Sequence, residues 1–332
     1  MRSSENTSAP ARIEALDTRI FAIQPGHYAD RTSFLRVQRL LRTLKPGYEY
    51  LEIGSDLGGS LLPHILDPNC RAAMSFDPRP RQQPDERGMD YHYAGNSTKR
   101  MLEELGEHAS PEEIGKLATI DADISAAGAI PPGVRPDLVL IDGEHTNVAA
   151  FSDFISVLPL LADDALITFH DANLIGDALQ IIERLLVQRR TRHSMVILPS
   201  CVAVFAFGAF IDPVEADLAP YADARTDYFA AARRERHAAI ADAVIGRTEG
   251  LRAHDIVGLR AWTEHVEQQS KHAEMMANRA VEREIARCAE IVRLRQAIQR
   301  LERQSETIIA STSWKITAPV RAAGRLLKGR RA

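Results

Sequence analysis

Four ionisable side chains arrive in two short bursts: Asp142 and His145 within Asp142-Gly-Glu-His145, and His170-Asp171 directly after Ala165-Leu-Ile-Thr-Phe169. Two carboxylates brought together can hold a hard divalent cation through oxygen. An imidazole beside them can take up a proton near neutral pH. On residue types, Asp142 and Asp171 are the candidate metal ligands and His145 is the better candidate base. His170 is a further ligand, a partner that orients one, or the alternative base. A metal-free site, with a histidine or carboxylate alone as base, is the competing reading. Asp142 could also cap the helix that follows it, and His170 could be a buried histidine bonded to backbone.

The elements that must position these groups are legible around them. Residues 138–141 form a continuous apolar run, as does 165–169, which suits strands buried on both faces of a parallel sheet. A helical stretch over 149–161 joins them. Two strand ends therefore deliver four reactive groups to one edge, where open α/β sheets place their sites. Upstream, the strand signal Tyr48–Ile53 runs into Gly54-Ser-Asp-Leu-Gly-Gly-Ser60 and then an apolar stretch, 61–66, expected to start a helix. Such a turn lets backbone approach a ligand and presents unpaired N–H groups. Its spacing, Glu52-x-Gly54-x-x-x-Gly58, is not that of a dinucleotide fingerprint, and a carboxylate before the first glycine suits a cationic ligand. A second strand ends in Met74-Ser-Phe-Asp77, where an acid meets a ribose in a doubly wound sheet, although Asp77-Pro-Arg-Pro80 also reads as a plain turn. Asn96, Ser97 and Asp123 sit at polar strand tips with the same two readings. The polar stretch 103–116, with Pro111-Glu-Glu at a helix start, predicts a surface helix.

The Glu-x-Gly-x-x-x-Gly segment resembles motif I of the class I S-adenosylmethionine-dependent methyltransferases. Leu-Ile-Asp-Gly-Glu-His-Thr (140–146), Phe-Ser-Asp-Phe (151–154) and Ile-Thr-Phe-His-Asp (167–171) resemble a methyltransferase family of surface-polysaccharide and natural-product gene clusters, similar to metal-dependent sugar O-methyltransferases. The resemblance covers residues 47–208. It implies an α/β fold with a Rossmann-like seven-stranded sheet and helices on both faces, a bound S-adenosylmethionine, and often a Mg²⁺. The cofactor-binding residues it implies are Glu52, Gly54, Ser55, Gly58, Asp77, Asn96, Ser97, Asp123 and Asp142; the metal ligands are Asp142, Asp171 and His170. Asp163-Asp164 replaces the usual Gly-Gly before the fifth strand. The expected reaction is methyl transfer from a sulfonium to a sugar hydroxyl of a bacterial surface glycan or glycolipid precursor, an in-line displacement in which a base, His145 or His170, takes the hydroxyl proton. A non-catalytic scaffold of a polysaccharide-assembly complex is the alternative. A nicotinamide-dependent oxidoreductase is disfavoured by the motif spacing.

The remaining chain frames this unit. With 332 residues and a net charge of −4, the chain can bury a substantial core and does not read as a nucleic-acid binder. Cys70, Cys201 and Cys288 are dispersed and odd in number, which fits a reducing cytoplasm. The absence of a signal-peptide core or spanning apolar stretch predicts a soluble, cytoplasmic protein. The expected organisation is a helical lead-in (1–46), the methyltransferase domain (47–212), an alanine-rich helical subdomain (213–265), a coiled-coil helix (266–310) and a basic amphipathic tail (311–332). Apolar spacings of three and four in the helix predict a homo-oligomer. The tail carries six basic residues and no acid, and its Trp314 and leucines suit an anionic membrane surface or an assembly partner.

Overall fold

The computed structural model describes residues 8–248 apart from 25–26, 94, 127–130 and 132. These lie in the first of two units, Met1–Leu251. The expected coiled coil, the basic tail and residues 249–265 of the expected helical subdomain lie outside the described residues.

The lead-in forms α1 (Ala9–Glu14), a 3-10 turn (Thr18–Ile20) and α2 (Tyr28–Leu44). Then follow β1 (Tyr48–Ile53), α3 (Leu62–Ile65), β2 (Cys70–Phe76), β3 (Gln82–Pro84), β4 (Asp90–His92), α4 (Thr98–Gly106), α5 (Pro111–Ile114) and β5 (Leu117–Ile120). The second half contains β6 (Leu138–Ile141), α6 (Asn147–Val157), β7 (Ala165–Phe169), α7 (Gly176–Gln188), β8 (His193–Leu198), β9 (Val202–Phe207), α8 (Ile211–Asp217) and α9 (Arg225–Thr248). The main sheet has seven strands in the order β5-β2-β1-β6-β7-β9-β8. Strands β5, β2, β1, β6 and β7 run parallel, while β9 is antiparallel to both β7 and β8. The expected seven-stranded Rossmann-like sheet is therefore present, with β8 and β9 as its antiparallel close.

Helices cover both faces because the strands are apolar on both. Leu138 and Leu140 of β6 join Val37, Leu40 and Leu41 of α2 and Met101 and Leu105 of α4 in one core. On the other face Phe154 of α6 packs with Phe169 and Phe205, ring centroids 5.8–6.4 Å apart. Fully burying a ring of this size contributes about 1.5–3 kcal/mol. Polar groups beneath β1 are paired: Tyr48 donates to Asp67 and meets His64 Nδ1 at 2.9 Å, Gln38 donates to Tyr48, and Arg42 pairs with Asp67. This network ties α2 to the chain after α3.

Local outcomes differ from expectation in three places. The helix predicted over 103–116 is two helices, α4 and α5, because Ser110 and Glu113 form a capping box that starts a new helix at Pro111. The helix after the glycine turn is the single turn of α3, preceded by Leu61 in helical geometry. Residues 82–92 form an antiparallel hairpin, β3–β4, which no sequence signal identified. Of the expected 213–265 subdomain, α8 and α9 are described; Tyr228 donates to the Ser200 carbonyl at 3.1 Å and Phe229 lies against Gly176. Among the described residues no helix is long and apolar enough to cross a membrane.

Candidate active site at the carboxyl edge of the sheet

From β1 the chain builds outward through β2 to β5, then returns to place β6 and β7 on the other side of β1. The carboxyl ends of β1 and β6 thus flank the point where strand order reverses, where ligands of open α/β sheets bind. The turn leaving β1 fits this place. Gly54, Asp56 and Gly58 all have left-handed backbone, with φ of 83°, 41° and 86°. A Cβ on Gly54 would lie 2.1 Å from the carbonyl oxygen of Asp142, so only glycine lets the β1 and β6 tips close to this distance.

The four strand-end groups converge as the sequence predicts. His170 Nδ1 lies 3.0 Å from Asp142 Oδ1 and 3.3 Å from Asp171 Oδ2. His145 Nε2 lies 3.2 Å from Asp171 Oδ2 and 3.7 Å from Asp142 Oδ1. Asp171 has left-handed backbone (φ 50°), an uncommon state for a non-glycine residue and one that concentrates at functional sites. Thr146, not Asp142, caps α6 by accepting from the Ala149 amide at 3.2 Å. That leaves the Asp142 carboxylate facing the histidines.

Electrostatics follow from this packing. Burial opposes the charge on His170, but Asp142, Asp171 and Asp30 outweigh it and raise its pKa well above the ordinary value. Burial likewise opposes charge on His145, while Asp142 and Asp171 raise its pKa. Burial pushes Asp142 upward, yet the two histidines hold it well below the carboxylate range. Both histidines are thus shifted upward by the acids that face them, Asp142 and Asp171 for His145 and these two with Asp30 for His170.

Asp142, His170 and Asp171 each offer a donor atom within 4.8 Å of the others. Two carboxylates and an imidazole suit a divalent cation, with carboxylate oxygens the natural donors to Mg²⁺.

The other predicted residues divide by exposure. Glu52 is fully buried beneath the turn, where its two oxygens accept from Tyr50 at 2.6 Å and Ser60 at 2.7 Å. Burial pushes its pKa up to about 7, against these hydrogen bonds. Ser55 is buried and accepts from Ser75. Asp77 directly follows β2 and accepts from the Asp56 and Arg79 amides at 2.9 and 2.8 Å, which braces the β1 turn. Asn96 accepts from Arg79 at 3.1 Å. Ser97 caps α4 by accepting from the Arg100 amide, and Asp123 accepts from Ser125 in an exposed turn. Asp163 pairs with Arg135 and Asp164 accepts from the Ala209 amide, away from the cluster of histidines.

Sequence reasoning missed residues on three elements. Asp30, in the first turn of α2, reaches His170 Nε2 at 3.7 Å. Cys201, in the turn between β8 and β9, brings Sγ to 3.5 Å from the same nitrogen. The hairpin supplies the third. Asp85 bridges His145 through backbone, the Glu86 amide donates to the His145 carbonyl at 3.1 Å, and Tyr91 meets the His145 ring edge-on at 5.6 Å. Buried Asp85 holds Arg87, which donates to Tyr91 at 2.6 Å. An acid in the first turn of a helix is ordinary, so Asp30 carried no signal; a polar run with Gly88 between Gln83 and Tyr91 could have marked the hairpin.

Residues 51–172 match the family described as "Methyltransferase domain". No curated protein matches the chain. Among solved structures, the calicheamicin methyltransferase CalS11 aligns over 63% of this chain and 95% of its own at 17% identity, with a TM-score of 0.41. The MycE methyltransferase of the mycinamycin pathway aligns over 59% of this chain and 54% of its own at 17% identity and a TM-score of 0.39. The N-methyltransferase NodS from Bradyrhizobium japonicum aligns over 59% and 97% at 15% identity and a TM-score of 0.35. The family match lies on β1 through the end of β7 and encloses Gly54, Asp142, His145, His170 and Asp171, so that segment is similar to methyltransferase domains.

Proposed function

We propose that this chain is an S-adenosylmethionine-dependent O-methyltransferase acting on a sugar hydroxyl of a bacterial surface glycan or glycolipid precursor. The observation that carries this reading is the pairing of a glycine turn at the strand-order reversal with two acid-flanked histidines on the same edge. S-adenosylmethionine, held along the Gly54–Gly58 turn, would supply the methyl group on a sulfonium, and the negative charge of Asp142 favours that cation nearby. An amine is nucleophilic without help once neutral, whereas a hydroxyl needs its proton removed; a site furnished with histidines and carboxylates therefore favours oxygen.

His145 is the proposed base. Its Nε2 faces Asp171 and it lies against Tyr91 of the hairpin, so an acceptor entering there meets the imidazole. Tyr91 and Met89 are 37% and 50% exposed, and give a sugar ring an aromatic and a thioether surface to pack on. A Mg²⁺ held by Asp142 and Asp171 would orient neighbouring hydroxyls and lower the proton affinity of one. Self-association through residues 266–310 and docking of the basic segment 311–332 at an anionic surface complete the reading, supported by their sequence pattern.

Calorimetric titration of S-adenosylmethionine into the protein, with and without Mg²⁺, tests this beside the Asp142→Ala/Asp171→Ala variant. Micromolar cofactor binding, with Mg²⁺ uptake lost in the variant, is the expected result. No cofactor binding in either condition sinks the proposal and puts the scaffold role in front.

A further inference from the structure

We infer that Asp30, His170 and Cys201 form a site for a thiophilic divalent transition-metal ion of the zinc class, distinct in its donors from the oxygen pair Asp142 and Asp171. Each of the three offers a donor atom within 4.8 Å of the others. Their separations lie near the edges of a coordination polyhedron, with the carboxylate of Asp30 offering one oxygen to each of the other two donors. Cys201 Sγ lies 3.5 Å from His170 Nε2 and 3.5 Å from Asp30 Oδ1, and His170 Nε2 lies 3.7 Å from Asp30 Oδ2. Zinc bonds of about 2.3 Å to sulfur and about 2.0–2.1 Å to nitrogen and oxygen, at tetrahedral angles, require edges of about 3.5 Å to sulfur and about 3.3–3.4 Å between nitrogen and oxygen. The sulfur and the nitrogen approach different oxygens of Asp30, so closing on an ion takes a turn of that carboxylate or the use of both its oxygens.

The imidazole is already oriented for it. His170 Nδ1 is held by Asp142 at 3.0 Å, which leaves Nε2 aimed at the thiol and at Asp30. A carboxylate on the far nitrogen of a metal-bound histidine is the arrangement that fixes tautomer and ring plane. The three donors come from three elements that are joined independently of any ion. The Ala172 amide donates to the Cys201 carbonyl at 2.9 Å, and Ser33 of α2 donates to the Pro199 carbonyl at 3.2 Å. Asp30 and Cys201 are 7% and 8% exposed, so few waters compete for the ion, while the more open His170 side keeps a position for a fourth ligand. A sulfur donor discriminates against Mg²⁺ and Ca²⁺ and selects zinc-like ions. An ion here would clamp α2 to the ends of β7 and β9 and engage His170 on both nitrogens, leaving His145 as the histidine free to take a proton. The site does not depend on methyl transfer and would stand if that activity were absent.

X-ray absorption on the full-length protein loaded with one equivalent of Zn²⁺ tests this without any substitution. The expected spectrum contains one sulfur neighbour at about 2.3 Å. A shell of nitrogen and oxygen alone overturns the inference. In parallel, Co²⁺ loading should give a thiolate-to-cobalt charge-transfer band that disappears in Cys201→Ser and persists in Cys70→Ser and Cys288→Ser. A band that survives Cys201→Ser also overturns it. Asp142→Ala, which keeps all three donors but frees His170 Nδ1, should weaken Co²⁺ binding about 10- to 100-fold. Should Cys201→Ser fail to fold, the absorption spectrum of the unaltered protein decides.

Discussion

His145 and His170 sit between the same acids, yet their surroundings separate their roles. His170 is hemmed by Asp142, Asp171, Asp30 and Cys201, whereas His145 faces Tyr91 and the side where an acceptor would enter. Replacing His145 with Ala should therefore cut methyl transfer about 10²–10⁴-fold, the usual contribution of a positioned base. Its protonation offers a direct check. The acids raise its pKa above the ordinary histidine value of about 6.5. Followed by NMR in chelator, its midpoint should lie above that value and fall when Mg²⁺ is added, because a bound cation opposes the imidazolium. A midpoint at or below about 6.5 in chelator would contradict the geometry. Glu52 supplies a second residue-scale prediction. Its folded pKa of about 7 lies above its unfolded value, so its ionisation in the unfolded chain erodes stability as pH rises from about 4.5 to 7. Glu52→Gln should gain on the wild type across that interval, by on the order of 3 kcal/mol, in urea titrations at pH 5 and pH 8. An unchanged difference at the two pH values would remove Glu52 from this role.

At the scale of elements, the site depends on two strand tips that almost touch. Gly54→Ala places a methyl group where the Asp142 carbonyl stands, on backbone an L-residue resists. The expected cost is at least about 3 kcal/mol, together with loss of cofactor binding, measured by denaturant melts and calorimetry. Native-like stability would mean the tips can separate freely. The convergence of Asp142, His145, His170 and Asp171 was legible because each group follows a short, wholly apolar run, the mark of a strand buried on both faces. Asp30 and Cys201 were not, since one lies on an amphipathic helix 110 or more positions away and the other in a Pro-Ser turn, and only the antiparallel return of β8 and β9 brings that turn to the edge. Glu52 reads as a ligand-facing acid in sequence, but alternation along β1 cannot show that its oxygens are already taken by Tyr50 and Ser60. The hairpin was missed for a related reason: its strands are three residues each and exposed, so they lack the alternation that marks a half-buried strand.

For the whole molecule, the first of the two units runs to residue 251 and holds every strand of the sheet that carries the site. A chain stopping after residue 251 should keep cofactor affinity and transfer to a soluble acceptor, while light scattering should show it monomeric where the full chain self-associates. It should also lose binding to anionic vesicles, since the segment with six basic residues and no acid has gone. Equal mass for both chains would assign self-association to the sheet-bearing unit.

The tie between the hairpin and His145 has a consequence for how such a protein can change its diet. Because Asp85 and Glu86 grip the backbone of the very residue proposed to take the proton, a substitution that reshapes the hairpin to admit a new sugar also nudges the base. Acceptor choice and turnover would then drift together, so laboratory selection for a new acceptor should first yield slow generalists, with speed regained by later changes near residues 85–87 rather than at the exposed ring of Tyr91.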